Sequence, residues 1–142
     1  MKISVVISAY NEQNLIEDCL KSVAKLADEI IFIDNTSQDS TVTIARKYTE
    51  KIYIRENDPV MLNKNKNFGF TKATGDWVLS LDADERITPE LASEIKKKIE
   101  IKAEELKAKV NSIEEEPIAF GLKALIVTLA WPEEKDTDFA EN

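Results

Sequence analysis

Four short apolar runs alternate with segments of helical periodicity, and this alternation constrains the fold more than any other feature. The runs cover residues 2–8, 29–34, 51–55 and 76–81. The first two runs have the length and composition of buried strands, residues 51–55 alternate as a third strand, and residues 76–81 form a fourth. Strands that alternate with helices form βαβ units, whose parallel strands pair into one sheet covered by helices. The sequence therefore predicts an α/β fold, with a mostly parallel sheet and flanking helices.

The segments between the runs carry apolar residues three and four positions apart, which predicts helices. The first helix is expected to begin at Glu12, with Asn11 as its capping residue. The second is expected to be capped by Asp39 or Ser40. A third, short helix is expected within residues 62–73.

A long amphipathic helix is predicted over residues 89–110, since a threonine and a proline at its start are typical of helix N-termini. If this helix exposes an apolar stripe, two copies of the chain are expected to pair as a homodimer. Residues 119–130 form a fifth apolar run, which predicts a further strand or hairpin arm.

The charge and composition of the chain exclude several classes of function. The formal net charge is -8, which argues against nucleic-acid binding, because that needs clustered Lys and Arg. The chain contains no histidine, so histidine-based triads and HExxH zinc sites are excluded. No apolar run approaches the roughly 20 residues of a transmembrane helix. The single cysteine, Cys19, cannot form an internal disulfide, and together these features predict a cytoplasmic protein.

Polar clusters follow three of the predicted strands at the point where each strand ends. They comprise residues 9–11, 34–36 and 82–84. Ligands of open parallel sheets bind at the carboxyl ends of the strands. The three clusters are therefore expected to meet at one edge of the sheet and to form one binding site.

Asp82 and Asp84 form a DxD motif where an apolar strand gives way to a loop. Mg and Mn prefer hard oxygen ligands, and two carboxylates one residue apart can both reach a metal-diphosphate. The motif alone is weak, since Asp136 and Asp138 repeat its spacing in the tail. Its position directly after a strand is what singles it out.

Two other polar residues each admit two interpretations. Asp34 ends the second predicted strand, where it can bind a nucleobase or ribose hydroxyl, or cap the following turn. Lys66 can meet a phosphate, or lie as a solvated lysine on a helix. Trp77, Phe70 and Cys19 are expected in the hydrophobic core.

In order along the chain, the segments VVISAYNE, IIFIDNTSQDST, NKNKNFGFTKATGDW and VLSLDADERITPEL resemble the blocks of family-2 glycosyltransferases with a GT-A fold. The resemblance covers residues 3–95 and implies a truncated GT-A, Rossmann-like fold, with residues 1–100 as a nucleotide-sugar-binding half domain. It implies transfer of a sugar from a nucleotide-diphosphate donor, usually a UDP-sugar, to an acceptor hydroxyl. The implied cofactor is a divalent cation, Mn or Mg.

The resemblance also implies a set of donor-binding residues. They are Ala9, Tyr10, Asn11, Glu12, Asp34, Asp39, Lys66, Asp82 and Asp84. Among them, Asp34 would contact the base and Asp39 would shape the loop under the nucleotide. Asp82 would contact the ribose or the metal, and Asp84 would hold the metal and the diphosphate. The family's catalytic base lies in an acceptor-binding half that nothing after Glu90 resembles, so no catalytic residue is assigned.

The last forty residues resemble a different family. Residues 103–138, AEELKAKVNSIEEEPIAFGLKALIVTLAWPEEKDTD, resemble part of archaeal translation elongation factor 1-beta. This implies a chimera, in which residues 101–142 supply a helix and a strand that pack on the same domain. Two alternatives to an active transferase follow. One is a catalytically inactive scaffold, and the other is a translation-factor-like module that binds an elongation GTPase through residues 118–121.

Overall fold

The described part of the chain folds into a four-stranded parallel sheet with helices on both faces. The structure is a computed structural model that describes residues 1–61 and 63–110. Its elements are β1 (Ile3–Ala9), α1 (Ile16–Val23), β2 (Glu29–Asp34), α2 (Thr41–Ala45), β3 (Ile52–Ile54), α3 (Asn63–Lys72), β4 (Trp77–Asp82) and α4 (Pro89–Val110). The predicted α/β class and mostly parallel sheet are confirmed. The strand predicted at residues 119–130 lies outside the described residues.

Strand β1 lies inside the sheet, whose strand order is β3-β2-β1-β4. All three strand pairs are parallel. In this register Ala9 lies beside Asp34, and Ser8 lies beside Asp82. The carboxyl ends of β1, β2 and β4 therefore meet along one side of the sheet, which we call the carboxyl edge.

Two hydrophobic clusters lie on opposite faces of the sheet, because successive side chains of a strand point to opposite sides. The larger cluster joins the sheet to α1, α2 and α4 and includes Cys19, Phe32 and Trp77. The smaller cluster lies under α3 and is centred on Val6 of β1. The core positions expected for Cys19 and Trp77 are confirmed, and Phe70 is partly buried at the margin of the smaller cluster.

Helix α1 begins at Ile16, four residues later than the sequence predicts. The N–H groups of Leu15 and Ile16 both donate to the carbonyl oxygen of Glu12, in a turn that precedes the helix. Asn11 has a φ of 53°, whereas a capping residue normally has extended backbone. The prediction that Asn11 caps α1 was wrong, because its carboxamide accepts a hydrogen bond from the N–H of Gln38 in another loop.

Helix α3 is polar, and it docks on the sheet through close backbone approach and cation–aromatic contacts. A Cβ atom at Gly69 would lie only 2.5 Å from Cγ1 of Val6. The rings of Phe68 and Tyr53 meet edge to face, with centroids 5.5 Å apart. The guanidinium of Arg55 lies 4.0 Å from the Phe68 centroid. These contacts replace the apolar stripe that normally holds a helix on a sheet.

Helix α4 confirms the predicted long amphipathic helix, and the Thr88 hydroxyl accepts the N–H of Leu91 at its start. Ile95 and Ile99 are buried in the larger cluster, whereas Leu91 and Ile101 are exposed. The expected homodimer stays a prediction, as does the domain boundary at residue 100, which falls inside α4. Among the described residues, no helix is long and apolar enough to span a membrane.

The Glu29 carboxylate fastens the amino ends of the strands. It accepts hydrogen bonds from the Ser4 hydroxyl at 2.5 Å and the Thr74 N–H at 2.5 Å, and it pairs with the Lys51 ammonium. The N–H of Gly75 donates to the same Ser4 oxygen at 2.8 Å. Burial acts to raise the pKa of Glu29, but the bonds from Lys51, Ser4 and Thr74 outweigh it and lower the pKa to about 2.

The Glu29 ionisation makes the stability of the fold depend on pH. Its folded pKa of about 2 lies below its ordinary value of 4.5, so its stabilisation is complete above pH 4.5. That stabilisation is lost as the pH falls towards 2. We expect Glu29→Gln to lower the free energy of unfolding at pH 7 by about 1–3 kcal/mol, and by less at pH 3. Urea denaturation measures both values. A loss at pH 7 no larger than that of the exposed-site control Glu50→Gln would contradict this assignment.

Candidate functional site

Reciprocal hydrogen bonds join the β1–α1 loop to the β2–α2 loop at the carboxyl edge. The N–H of Asn11 donates to the Ser37 hydroxyl at 2.9 Å, and the N–H of Gln38 donates to Oδ1 of Asn11 at 2.8 Å. The N–H of Glu12 donates to the Thr41 hydroxyl at 2.9 Å. The two loops are therefore held together as one unit, which we call the rim.

Two residues of the rim have left-handed backbone conformations. Asn11 has a φ of 53° and Thr36 has a φ of 61°. Asparagine tolerates this region, but a β-branched threonine rarely adopts it. The Thr36 hydroxyl donates to the carbonyl oxygen of Arg55 at 3.1 Å. Backbone strain of this kind is concentrated at functional sites, and here the surrounding hydrogen bonds hold it in place.

The Asp39 carboxylate is engaged within the rim. One oxygen accepts the N–H of Thr41 at 2.9 Å and its hydroxyl at 2.5 Å, and the other accepts the N–H of Gln13 at 3.2 Å. Burial acts to raise the pKa of Asp39, but these hydrogen bonds outweigh it and lower the pKa. A carboxylate bound in this way ties the first residue of α2 to the loop after β1. Its position under a nucleotide stays a prediction.

Asp34 is a deeply buried carboxylate at the carboxyl edge, with 1% of its surface exposed. Its Oδ2 accepts the N–H of Ser37 at 2.9 Å and so caps the turn after β2. Its Oδ1 is buried without a hydrogen-bond partner among the described residues. A buried acceptor left unpaired costs about 1–3 kcal/mol, so such atoms are rare in folded proteins. Oδ1 is therefore suited to accept a hydrogen bond from a ligand.

A network of amide side chains, centred on the buried Asn65, links α3 to the strands beside Asp34. Asn65 accepts the Nε–H of Arg55 at 2.9 Å and donates to the carbonyl oxygen of Glu56 at 2.9 Å. Its amide nitrogen also donates to Oδ1 of Asn35, whose own amide nitrogen donates to the Ser8 hydroxyl at 2.9 Å. The network fixes α3 relative to the ends of β1, β2 and β3.

The sequence interpretation missed Asn65 and Arg55 as parts of the site. Residues 56–67 contain four asparagines, and composition does not distinguish the buried one from the others. One signal was present, because Asn65 precedes Gly69 by four residues, which places both on the same face of a helix. A glycine that approaches the sheet closely thus identifies which asparagine faces it.

Lys66 and Asp82 form an ion pair at the carboxyl edge. Nζ of Lys66, on α3, lies 2.5 Å from Oδ1 of Asp82, at the end of β4. The backbone N–H of Asp82 donates to the Glu85 carboxylate at 2.7 Å, which fixes the turn after the strand. Asp84 is exposed on that same turn. The structure thereby brings two of the expected donor-binding residues into direct contact.

The remaining expected residues follow β1. Ala9 is buried at the end of the strand, and Tyr10 directly after it is exposed. Glu12 is half-buried in the rim. A small buried residue followed by an exposed aromatic ring allows a flat ligand to approach the strand end closely.

The oxygen donors at the carboxyl edge limit the kind of metal site that the protein can form. Within residues 1–61 and 63–110, no cluster of three or more acidic or cysteine side chains is suited to hold a metal ion. Asp82 and Asp84 therefore offer two carboxylates at most. Mg²⁺ is commonly held by one or two carboxylates together with substrate phosphates and waters. The donor set fits an ion that is shared with a diphosphate.

Two family models match the sequence. The model described as glycosyl transferase family 2 matches residues 4–106, and that of the EF-1 guanine nucleotide exchange domain matches residues 82–142. An uncharacterized glycosyltransferase of Rickettsia bellii is 38% identical over 94 residues, which cover 66% of this chain and 31% of that protein. The matched segment spans 31–33% of the length of this relative and of two further rickettsial glycosyltransferases.

Two solved structures share the fold. Residues 1–349 of Staphylococcus aureus TarS, in complex with UDP-GlcNAc, match with a TM-score of 0.61 and 28% identity, over 70% of this chain and 31% of that one. Glucosyl-3-phosphoglycerate synthase of Mycobacterium tuberculosis, in complex with Mn²⁺ and UDP-glucose, matches with a TM-score of 0.50 and 30% identity. That match covers 58% of this chain and 33% of the synthase.

Because of the amide network, replacing Asn65 should destabilise the fold more than replacing Asn67 on the same helix. Asn65→Ala leaves Arg55 and Asn35 without their partner, so we expect a loss of about 1–3 kcal/mol in the free energy of unfolding. Asn67→Ala, an exposed position on the same helix, is expected to change it by no more than about 0.5 kcal/mol. Urea denaturation compares the two variants. Equal losses would show that the network does not hold α3 in place.

Proposed function

Because the chain belongs to glycosyl transferase family 2, we propose that its carboxyl edge binds a nucleotide-diphosphate sugar whose sugar is transferred to an acceptor hydroxyl. The observation that carries this proposal is the buried Oδ1 of Asp34, to which no group in the described part of the chain donates a hydrogen bond. The complexes of TarS with UDP-GlcNAc and of the mycobacterial synthase with UDP-glucose support a UDP-sugar as the donor.

The chemistry of Asp34 favours uracil over cytosine. Uracil carries an N–H donor at ring position 3, whereas cytosine has an unprotonated, accepting nitrogen there. An ionised carboxylate only accepts hydrogen bonds, so Oδ1 of Asp34 is complementary to uracil and repels the lone pair of cytosine. The contact is strong because Asp34 is buried, where no water competes for the oxygen.

We assign the diphosphate end of the donor to Lys66, Asp82 and Asp84. Asp82 and Asp84 would hold a divalent cation, Mn or Mg, together with diphosphate oxygens. When bound, that ion would offset the negative charge that develops on the departing diphosphate. The Lys66 ammonium lies beside Asp82, within reach of the same phosphate oxygens.

The rim is proposed to enclose the base and ribose. Tyr10 presents an exposed ring on which a base can stack, and Ala9 leaves room for the ligand at the strand end. Asn11 and Glu12 shape this wall through their backbone bonds to the neighbouring loop. Asp39 supports the wall through its bonds to Thr41 and does not itself need to contact the ligand.

Transfer breaks the bond between the anomeric carbon and the diphosphate oxygen and forms a bond from that carbon to the acceptor oxygen. The acceptor proton passes to a base, for which we assign no residue of this chain. In the scaffold alternative, the chain catalyses no sugar transfer. The translation-factor alternative depends on residues 118–121, which lie outside the described residues. A chimeric origin and a cytoplasmic location stay predictions.

The donor site is tested by titrating UDP into the wild type and into Asp34→Asn in a calorimeter, with MnCl₂ present. With its oxygen kept on the Ser37 N–H, the new amide directs an N–H at the N–H of uracil, so the two donors repel. We expect UDP affinity to fall about 10- to 100-fold, because a hydrogen bond to a charged group is lost. The preference for UDP over CDP should shrink with it.

Asp76→Asn is the matched control, since Asp76 accepts the N–H of Lys2 at the amino ends of β1 and β4, away from the carboxyl edge. This variant should bind UDP as the wild type does. If folded wild-type protein binds no UDP with Mn²⁺ present, the proposed donor site is wrong.

A further inference from the structure

We propose that Lys66 is the counter-ion of Asp82 in the donor-free site, and that the divalent cation therefore enters with the diphosphate and binds weakly before it. This inference rests on the proposed function, because it takes Asp82 and Asp84 as the metal-holding residues. It adds an order of assembly, with Lys66 as the residue that sets it.

The Lys66 ammonium occupies a position beside Asp82 that a metal ion would also need. Its Nζ lies 2.5 Å from Oδ1 of Asp82. A magnesium ion bound to the same oxygen would lie about 2.1 Å from it. The ammonium and a metal ion are both cations at one carboxylate, so they repel each other and compete for it. A metal ion therefore binds Asp82 more tightly once the Lys66 side chain has moved away.

Helix α3 is anchored to the sheet, so the Lys66 side chain can move without the helix. Asn65 is tied by its hydrogen-bond network, and the backbone at Gly69 packs against Val6. The helix is thus fixed on both sides of Lys66. A lysine has four flexible methylene groups, so the ammonium can change partners while the backbone stays in place.

Lys66 partly balances the negative charge around the DxD turn. Asp82, Asp84 and Glu85 place three carboxylates within four residues. The Arg86 guanidinium on this turn donates to three backbone carbonyl oxygens and is held there. Lys66 faces the Asp82 carboxylate from α3. Its removal leaves the turn more negative, which should strengthen the binding of a divalent cation.

A diphosphate changes this balance because it offers Lys66 a new anionic partner. When Lys66 moves to a phosphate oxygen, Asp82 is released for the cation. Nucleotide and cation should then strengthen each other's binding, by the same factor in both directions. Lys66 carries that coupling, so a neutral residue at this position should weaken it.

The test is Mn²⁺ binding without nucleotide, measured from the electron paramagnetic resonance signal of free Mn²⁺. We expect Lys66→Met to bind Mn²⁺ about 5- to 20-fold more tightly than the wild type, which is within the usual range of site-to-site coupling. Lys64→Met is the matched control, since Lys64 lies on the same helix and pairs with Asp58. It should leave Mn²⁺ affinity unchanged. In the double variant Lys66→Met/Asp82→Asn, the gain should disappear.

Three results would overturn the inference. They are an unchanged or weaker Mn²⁺ affinity in Lys66→Met, a gain that survives Asp82→Asn, and no measurable Mn²⁺ binding by any variant. If circular dichroism shows that Lys66→Met is unfolded, Lys66→Gln takes its place with the same expected gain. If the wild type fails to bind UDP, the proposed donor site is wrong. The role of Lys66 is still decided separately, by the Mn²⁺ titration without nucleotide.

Discussion

The pairing of β1 with a strand on each side determines where the residues of the candidate site lie. Its register places Ala9 beside Asp34 and Ser8 beside Asp82. With neighbouring strands about 4.8 Å apart, the backbones at the ends of β2 and β4 lie about 10 Å from each other, across β1. Strand alternation turns Asp34 towards the face that carries α1 and α2, and Asp82 towards the face that carries α3. The two carboxylates of the candidate site thus lie towards opposite faces of one sheet.

Much of the fold follows from local patterns in the sequence. Three of the four runs became strands that are mostly buried on both faces of the parallel sheet. The alternating run at residues 51–55 became the edge strand β3, whose Ile54 is exposed. The Thr88–Pro89 start gave the long helix α4. The positions of Asp34 and Asp82 at strand ends also followed, since parallel strands end at the same edge. Those patterns therefore describe the order of the elements and the side of the sheet where the candidate site residues meet.

The details of the site depend on contacts between segments distant in sequence, which local patterns do not contain. Asn11 has the residue type of a helix cap, but the β2–α2 loop uses its side chain instead. Asn65 resembles its exposed neighbours until α3 is docked on the sheet. The contact between Lys66 and Asp82 joins α3 to β4 and follows from the packing of Gly69. Chemistry thus identified candidate residues, and tertiary packing decided their partners.

The separation in sequence between β1 and β4 has a consequence for the order of folding. The Lys2–Asp76 contact at the start of this pair spans 74 residues, whereas the β1–β2 contact between Ile3 and Asp28 spans 25. Closing a longer loop costs more entropy, and contacts of high sequence separation form slowly. The β1–β2 unit with its rim is thus favoured to form before β4 docks. Asp82 would reach its place beside Lys66 in that late step, so a partly folded chain would hold the hydrogen-bonded rim without the turn that carries Asp82 and Asp84.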